Sequence, residues 1–330
     1  MAGQKPQHRF FQELKINGQE APIFNLVRGV YIEDTNLDGP QLILTLNDLD
    51  STLRDGMRLV SGATLELAMG DVNGRGRAYF KSTFIVVSIK PDGRRLRVEA
   101  LEAGIFALKQ PAPKPRFFIG VRVADMLADL FPGYKIQTTF TTRKVTHHIT
   151  ASATPGSVLK KMERDLGAAI WVARGTVYCI PRNMLGGQKD GYPVLEYQAQ
   201  RTAHPILGYK PLYEAPNAER EVQRNYMSWD TVAGLMVSQV NPEAPRRFVP
   251  GATLDELDGM GANTVPALVC DMPGNGTYMA GMTVGIRLHR INRGYVLDES
   301  LPAKQVIMTV SHIDDNNEYR CKLTTGASQI

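Results

Sequence analysis

Two stretches near opposite ends of the chain carry the same short pattern, and this duplication constrains the fold more than any single residue. Gly62-Ala63-Thr64-Leu65-Glu66-Leu67 reads Gly-x-Thr-apolar-x-apolar, and Gly281-Met282-Thr283-Val284-Gly285-Ile286 reads the same way. A candidate hairpin follows each. Val87-Ser88 lies in the first arm of one, and Val310-Ser311 in the first arm of the other. Their return arms, Leu96/Val98/Ala100 and Tyr319/Cys321/Leu323, are in register at an offset of 223 residues. Such a repeat predicts two related β-barrels or sandwiches in one chain, separated by a small α/β insert.

The local pattern agrees. Leu42, Leu44 and Leu46, then Leu65, Leu67 and Met69, then Leu96, Val98 and Ala100 alternate with mostly polar neighbours. A period of two with one apolar parity gives a sheet with one wet face. Lys90-Pro91-Asp92-Gly93 has turn chemistry, which predicts a hairpin over residues 78–102. Its counterpart runs over 304–325, around Asp314-Asp315-Asn316-Asn317. Gln110-Pro111-Ala112-Pro113-Lys114-Pro115 reads as a stiff linker. Beyond it the period lengthens. Val123, Met126, Leu127 and Leu130 form one helical stripe, and Leu159, Met162 and Leu166 another. Thr154 is placed to cap the second helix, with Pro155 at its first position and Gly167 as its stop. A tight Arg174-Gly175 turn then joins two short strands. From about residue 190 strands return, with a short helix at 253–258 opened by the capping box of Thr253 and Glu256. The expected division is 1–112, 113–189 and 190–330: a mainly β chain with a small α+β insert.

The chemistry-bearing motifs are absent. There is no P-loop, no complete Gly-x-Gly-x-x-Gly, no nucleophile elbow and no His-Glu-x-x-His. Cys179, Cys270 and Cys321 are too far apart for a thiolate metal or redox motif and predict reduced thiols, two of them on apolar strand parities. His147 and His148 would face opposite sides of a strand. Asp71-Val72-Asn73-Gly74 resembles only the opening of a calcium loop. Asp125 and Asp129 sit one turn apart, as on an exposed helix face. The net charge of +5 is spread along the 330 residues, which reads first as solvated faces, then as a face for acidic partners, and last as sequence-specific nucleic-acid reading. Trp171, Tyr178, Trp229 and Tyr319 fall mostly in apolar alternation, which predicts core use rather than base stacking. The polar, basic start is not a signal peptide, and Phe84-Ile85-Val86-Val87 is too short to span a bilayer.

The segment from Thr154-Pro155-Gly156-Ser157-Val158-Leu159 through Leu166-Gly167 to Ile170-Trp171-Val172, followed by Tyr178-Cys179-Ile180-Pro181, resembles a known family. It is similar to the central hub protein of contractile phage-tail baseplates, whose relatives include the hub portion of type VI secretion spike proteins. There a helix rich in apolar and charged residues ends at Gly and enters a strand carrying an aromatic residue, and two tube-like β domains flank that unit. The chain lacks the family's long C-terminal β-helix and its inserted lysozyme-like domain, so a separate spike chain is expected.

The resemblance implies a structural virion protein with no cofactor, metal or catalytic residues. It implies a homotrimer whose six tube-like domains adapt a sixfold tail tube to a threefold spike. The expected partners are the tail tube, central spike, tape-measure and surrounding baseplate proteins, with phage DNA only in transit and no stable membrane insertion. The place is the tail baseplate of the virion, and the host cytoplasm during assembly. In that family the corresponding sheets wall the channel, which makes Lys81, Arg95, Arg97, Glu99, Glu318, Arg320 and Lys322 candidate channel-lining or interface residues. The alternatives are a cell-wall-degrading tail enzyme and a basic β-rich module binding nucleic acid or glycan.

Overall fold

Period-two alternation gives the chain long strands, and most of them join one sheet. The computed structural model describes residues 9–71, 79–199, 201–212, 224–238, 243–290, 296–297, 301–315 and 318–329. The first part holds β1 (Phe11–Ile16), β2 (Gln19–Ala21), β3 (Leu26–Asp34), β4 (Gln41–Asn47), β5 (Thr64–Met69), β6 (Phe80–Asp92), β7 (Arg95–Glu102) and α1 (Ala103–Lys109). The middle part holds β8 (Arg116–Arg122), α2 (Val123–Leu130), β9 (Lys135–Thr138), β10 (Lys144–Ile149), α3 (Pro155–Leu166), β11 (Ala168–Ala173) and β12 (Thr176–Pro181). The last part holds β13 (Val194–Tyr197), β14 (Pro205–Ile206), β15 (Gly208–Pro211), β16 (Asn225–Asp230), β17 (Gly234–Val237), β18 (Arg246–Phe248) and α4 (Leu254–Gly261). It ends with β19 (Asn263–Pro273), β20 (Thr283–Arg290), β21 (Val296–Leu297), β22 (Lys304–Asp315) and β23 (Glu318–Gln329).

The repeat read from the sequence is present in the topology. Strands run side by side in the order β5-β6-β7-β4-β3 in one module and β20-β22-β23-β19-β15 in the other, each pair antiparallel. The duplicated glycines sit at equivalent points. Gly62 and Gly281 have φ of 87° and 84°, and each donates its N–H at 2.8 Å, to the carbonyls of Val86 and Ile307 respectively. That left-handed backbone is nearly free for glycine and costly for other residues. The modules differ in the link that follows β3 or its equivalent. Residues 35–40 join β3 to β4, whereas residues 212–262, carrying β16 to β18 and α4, join β15 to β19.

The modules are not separate bodies. The start of β22 pairs with β20, and its remainder, Thr309–Asp315, pairs with Asp34–Arg28 of β3. This joint makes one continuous sheet, and a single apolar cluster beneath it contains Leu42, Leu44, Val98 and Phe84 together with Leu268, Cys270, Val310 and Leu323. The middle part has its own core. The stripes on α2 and α3 are buried against Ile170, Val172 and Val177, and Ile105 and Leu108 of α1 join them. Leu159 is completely buried there.

Two local expectations need correction, and one helix was not foreseen. The hairpin turn is Gly93-Arg94, because Pro91 and Asp92 remain in β6 opposite Leu96 and Arg95. Pro91 fits because a two-residue turn closes on a hydrogen-bonded pair, leaving its missing N–H on the strand's other edge. The segment before the Pro-rich stretch is the helix α1, capped by Glu102, whose carboxylate accepts from the N–H groups of Gly104 (3.0 Å) and Ile105 (3.2 Å). Glutamate is not a usual cap residue, so the pattern gave no start signal. Thr154 occupies the N-cap of α3 in extended conformation, yet its side chain does not cap; Ser157 Oγ donates to the Thr154 carbonyl at 2.7 Å instead. The capping box of Thr253 and Glu256 is formed, and the helix it opens is α4. The turn residues Asn316 and Asn317 lie outside the described residues.

Leu159→Ala should lower the unfolding free energy by about 2–5 kcal/mol, the usual cost of a cavity at a fully buried leucine. Chemical denaturation with limited proteolysis of residues 113–189 reads this. An unchanged midpoint and cleavage pattern would show that the stripe is not core.

Candidate functional site

Strand parity places the seven candidate residues on one face. Lys81 is on β6, Arg95, Arg97 and Glu99 are on β7, and Glu318, Arg320 and Lys322 are on β23. All lie opposite the buried parities Leu96/Val98/Ala100 and Tyr319/Cys321/Leu323. The joint between modules then does what the sequence did not foresee: it brings the two hairpins into common rows. One row reads Arg97, Thr45, Arg28, Asp315, Glu318 across β7, β4, β3, β22 and β23. The next reads Glu99, Ile43, Val30, Ile313, Arg320. Lys81 lies in a separate row with Ala68 and Glu13.

The face mixes both signs. Lys81 Nζ lies 3.4 Å from Glu13, Arg97 Nε 3.3 Å from Glu99, and Arg320 Nε 3.4 Å from Glu318. These solvated pairs contribute little stability. Their effect is on the field: neither sign accumulates along the rows.

Beneath the joint lies a buried polar centre. Glu33, on the inward parity of β3, is fully buried. It accepts from Tyr31 Oη at 2.9 Å, from Arg174 Nε at 3.0 Å and from the Ala280 N–H at 3.1 Å. Arg174 occupies the tip of the β11–β12 hairpin with φ of 50°, before Gly175 at 73°. Its remaining nitrogens donate to the carbonyls of Gly276 and Tyr278, each at 2.7 Å, and its guanidinium lies over the Phe80 ring at 4.8 Å. One side chain of the middle part therefore ties β3 of one module to the β19–β20 connection of the other. Trp171, on β11 of the same hairpin, lies against Gly281, where a Cβ would collide with the indole.

His312 completes the centre. Its Nδ1 lies 2.7 Å from Tyr319 Oη and its Nε2 3.1 Å from the Tyr278 carbonyl, an acceptor to which Nε2 must donate a proton. It stacks on Phe10 at 4.3 Å. Burial, and then the Arg174 charge, hold its pKa well below the usual histidine value. Asp314 accepts from the Phe10 and Phe11 N–H groups at 2.8 and 3.2 Å, fastening the start of the described chain to β22.

The other residues weighed in the sequence are dispersed. His147 is buried, while His148 faces outward on Phe117. Asp125 pairs with Arg122 at 2.7 Å and Asp129 pairs with Arg116, as on a solvated helix face. The three cysteines are free and buried, and burial raises their pKa values, to about 12 for Cys179 and Cys270 and about 11 for Cys321. Asp71 is buried, and the rest of its glycine-rich loop lies outside the described residues. Among the described residues no group of three or more His, Cys, Asp or Glu is placed to hold a metal ion. Trp229 departs from expectation: it is 62% exposed. It pairs with exposed Leu235 across β16–β17, while Ala252, Leu257 and Met260 cluster with Tyr226 and Met236. Glu33 and Arg174 escaped the sequence reading. Their signal was an acid on the apolar parity of β3 and a cation at the tip of an apolar hairpin.

Solved structures similar in fold include phage tail proteins and type VI secretion proteins. A tail protein from Neisseria meningitidis MC58 aligns with a TM-score of 0.61 at 12% identity, covering 96% of both chains. The 43 kDa tail protein of prophage MuSo2 from Shewanella oneidensis aligns at 0.56 and 10%, covering 97% of this chain and 98% of that one. An E. coli component of the type VI secretion system, described as structurally similar to the bacteriophage T4 tail proteins gp27 and gp5, aligns at 0.53 and 11%, covering 95% and 76%. No protein-family model and no curated protein matches the chain. The fold is thus the mainly β fold of phage tail and type VI secretion baseplate proteins.

Removing Arg174 leaves Glu33 buried without its cation. Arg174→Met should cost about 3–5 kcal/mol in chemical denaturation at neutral pH; a loss below 1 kcal/mol would show the pair to be dispensable. His312 gives a pH signature. The unfolded histidine takes up a proton below about pH 6.5, whereas the folded one resists. The unfolded state then binds more protons, so His312 costs stability as pH falls, by up to about 1.4 kcal/mol per unit. The stability difference between the wild type and His312→Gln should therefore shrink from pH 7.5 to pH 5.5, and a constant difference would contradict the buried neutral ring.

Proposed function

We propose that this protein is a structural hub at the centre of a contractile-tail baseplate, a homotrimer that adapts a sixfold tail tube to a threefold central spike. The observation that carries this reading is the five-strand module present twice in one chain and joined edge to edge through β3 and β22. Three copies supply six similar modules. A ring of them repeats a module every sixth of a turn and a whole chain every third, which is the symmetry such an adaptor needs. The tail and type VI secretion proteins sharing the fold support the same placement.

In this reading the charged face of the continuous sheet borders the channel. Arg95, Arg97, Glu99, Glu318, Arg320, Lys322 and Lys81 present both signs there. Phage DNA in transit meets no uniformly basic wall that would hold a polyanion. The tail tube and tape-measure proteins meet the ring on one side and a separate spike chain on the other, with further baseplate proteins around it. The role is mechanical and involves no catalytic step. The place of action is the virion tail, after assembly in the host cytoplasm.

Light scattering on the purified protein at micromolar concentration should give three times the 36.5 kDa chain mass, and negative-stain images should show a ring with a central hole. A single-chain mass, alone and with the cognate tube and spike proteins present, would overturn the proposal.

A further inference from the structure

A sheet packed on one side turns a polar face to the water on the other. The continuous sheet does so through Arg97, Glu99, Glu318 and Arg320. The small sheet β17-β16-β18, within the link between β15 and β19, does not. Its covered parity is that of Tyr226 and Met236, which pack on Leu257 and Met260 of α4. The opposite parity is apolar as well. One row reads Phe248, Met227, Val237 across β18, β16 and β17, and the next reads Trp229, Leu235. Leu235 and Phe248 are each 54% exposed and Trp229 more so, with Met227 and Val237 half-buried between them. Val232, in the turn from β16 to β17, is almost fully exposed. Single exposed apolar residues are ordinary, but a contiguous group of them marks a contact surface.

We infer that this face docks an amphipathic helix of another protein, one whose apolar stripe is flanked by carboxylates. The inference does not depend on the trimeric reading. Three strands spaced by about 4.8 Å span about 10 Å, the width of one helix. The charge at the end of the face selects the flanks. Arg246 stands on it in the row beyond Phe248, opposite Asn225, and Arg224 and Arg247 border that row. All three arginines are exposed, and among the described residues none has an ion-pair partner. The carboxylates of this segment are turned away or engaged. Asp255 and Glu256 belong to α4, on the covered side, and Glu256 lies 2.7 Å from Arg143 Nε. Asp230 accepts from the N–H groups of Val232 and Ala233, each at 2.8 Å, and Glu243 is also engaged. An apolar centre with a cationic end complements an apolar stripe with acidic flanks, and a guanidinium binds a carboxylate in a two-pronged fork.

Two other classes of partner fit less well. Single-stranded nucleic acid stacks on successive rings. Here Trp229 and Phe248 lie in different rows, and Leu235, Met227 and Val237 fill the rest of the face. A lipid surface taking Val232 would have to take Asp230 with it, and the two N–H groups it accepts from hold its carboxyl below the usual range, so it stays charged. The face is also firmly mounted. At Gly167, the end of α3, a Cβ would collide with the backbone of Glu256 and Met260, so α4 lies directly against the middle part. A face held this way has little order left to lose on binding.

A labelled synthetic helix with leucines at i, i+3, i+4 and i+7 and glutamates along both flanks tests this on the full-length protein. Followed by fluorescence anisotropy at low salt, it should bind at micromolar concentration and move the Trp229 emission to the blue. Trp229→Ser with Leu235→Ser, whose denaturation midpoint should stay unchanged because both side chains are exposed, should weaken binding by about tenfold or more. The wild type should favour the glutamate-flanked helix over a lysine-flanked one by about tenfold, and Arg246→Glu should remove most of that preference. No binding of the glutamate-flanked helix, equal binding of both helices, or binding unchanged in W229S/L235S overturns the inference. Tighter binding of oligothymidylate, or of phosphatidylcholine–phosphatidylglycerol vesicles, through the same two residues overturns it in favour of nucleic acid or lipid. A fall in the light-scattering mass of W229S/L235S below that of the wild type also overturns it, because the face then lies between copies of this chain.

Discussion

The guanidinium of Arg174 is the contact on which the arrangement of the three parts depends. A buried arginine cannot shed its charge, so its donors must be met. Here they are met by Glu33 of one module and by two carbonyls preceding β20 of the other. Shifting either module relative to the hairpin that carries Arg174 would strand a buried charge. Apolar contacts between the same parts tolerate small displacements, because dispersion and area burial have little direction. The ion pair fixes where the modules sit, and the continuous sheet and core supply the adhesion.

This fixing explains why the middle part lies between the modules in sequence and at their junction in space. Its hairpin presents Arg174 from a turn in which two consecutive residues have positive φ, and Trp171 packs on Gly281 beside it. The helices α2 and α3 stand behind that hairpin and hold it rigid through Ile170, Val172 and Val177. The segment is a clamp whose tip reaches into the seam between repeats.

What was readable in the sequence is what local chemistry encodes. Alternation showed which of Leu42–Leu46, Leu96–Ala100 and Tyr319–Leu323 face inward, and the paired Gly-x-Thr patterns marked strand starts that require a left-handed glycine. The charged parity of the two hairpins was equally legible. The seam was not, because the pairing of Thr309–Asp315 with Asp34–Arg28 joins residues nearly three hundred positions apart and no local propensity encodes it. The helix α1 was missed because its cap is an unusual residue. Trp229 was misplaced because alternation tells that two faces differ, not which one is covered.

Among the described residues no further strand lies along β6 at Pro91 or along β15 at Pro211, and these two prolines have a consequence for the free chain. An uncovered strand edge is a template on which any extended peptide adds, including a strand of an incompletely folded neighbour. Pro91 and Pro211 each place a gap in the row of donors such a peptide would need. The two gaps therefore lower the tendency of a free copy to recruit stray extended strands.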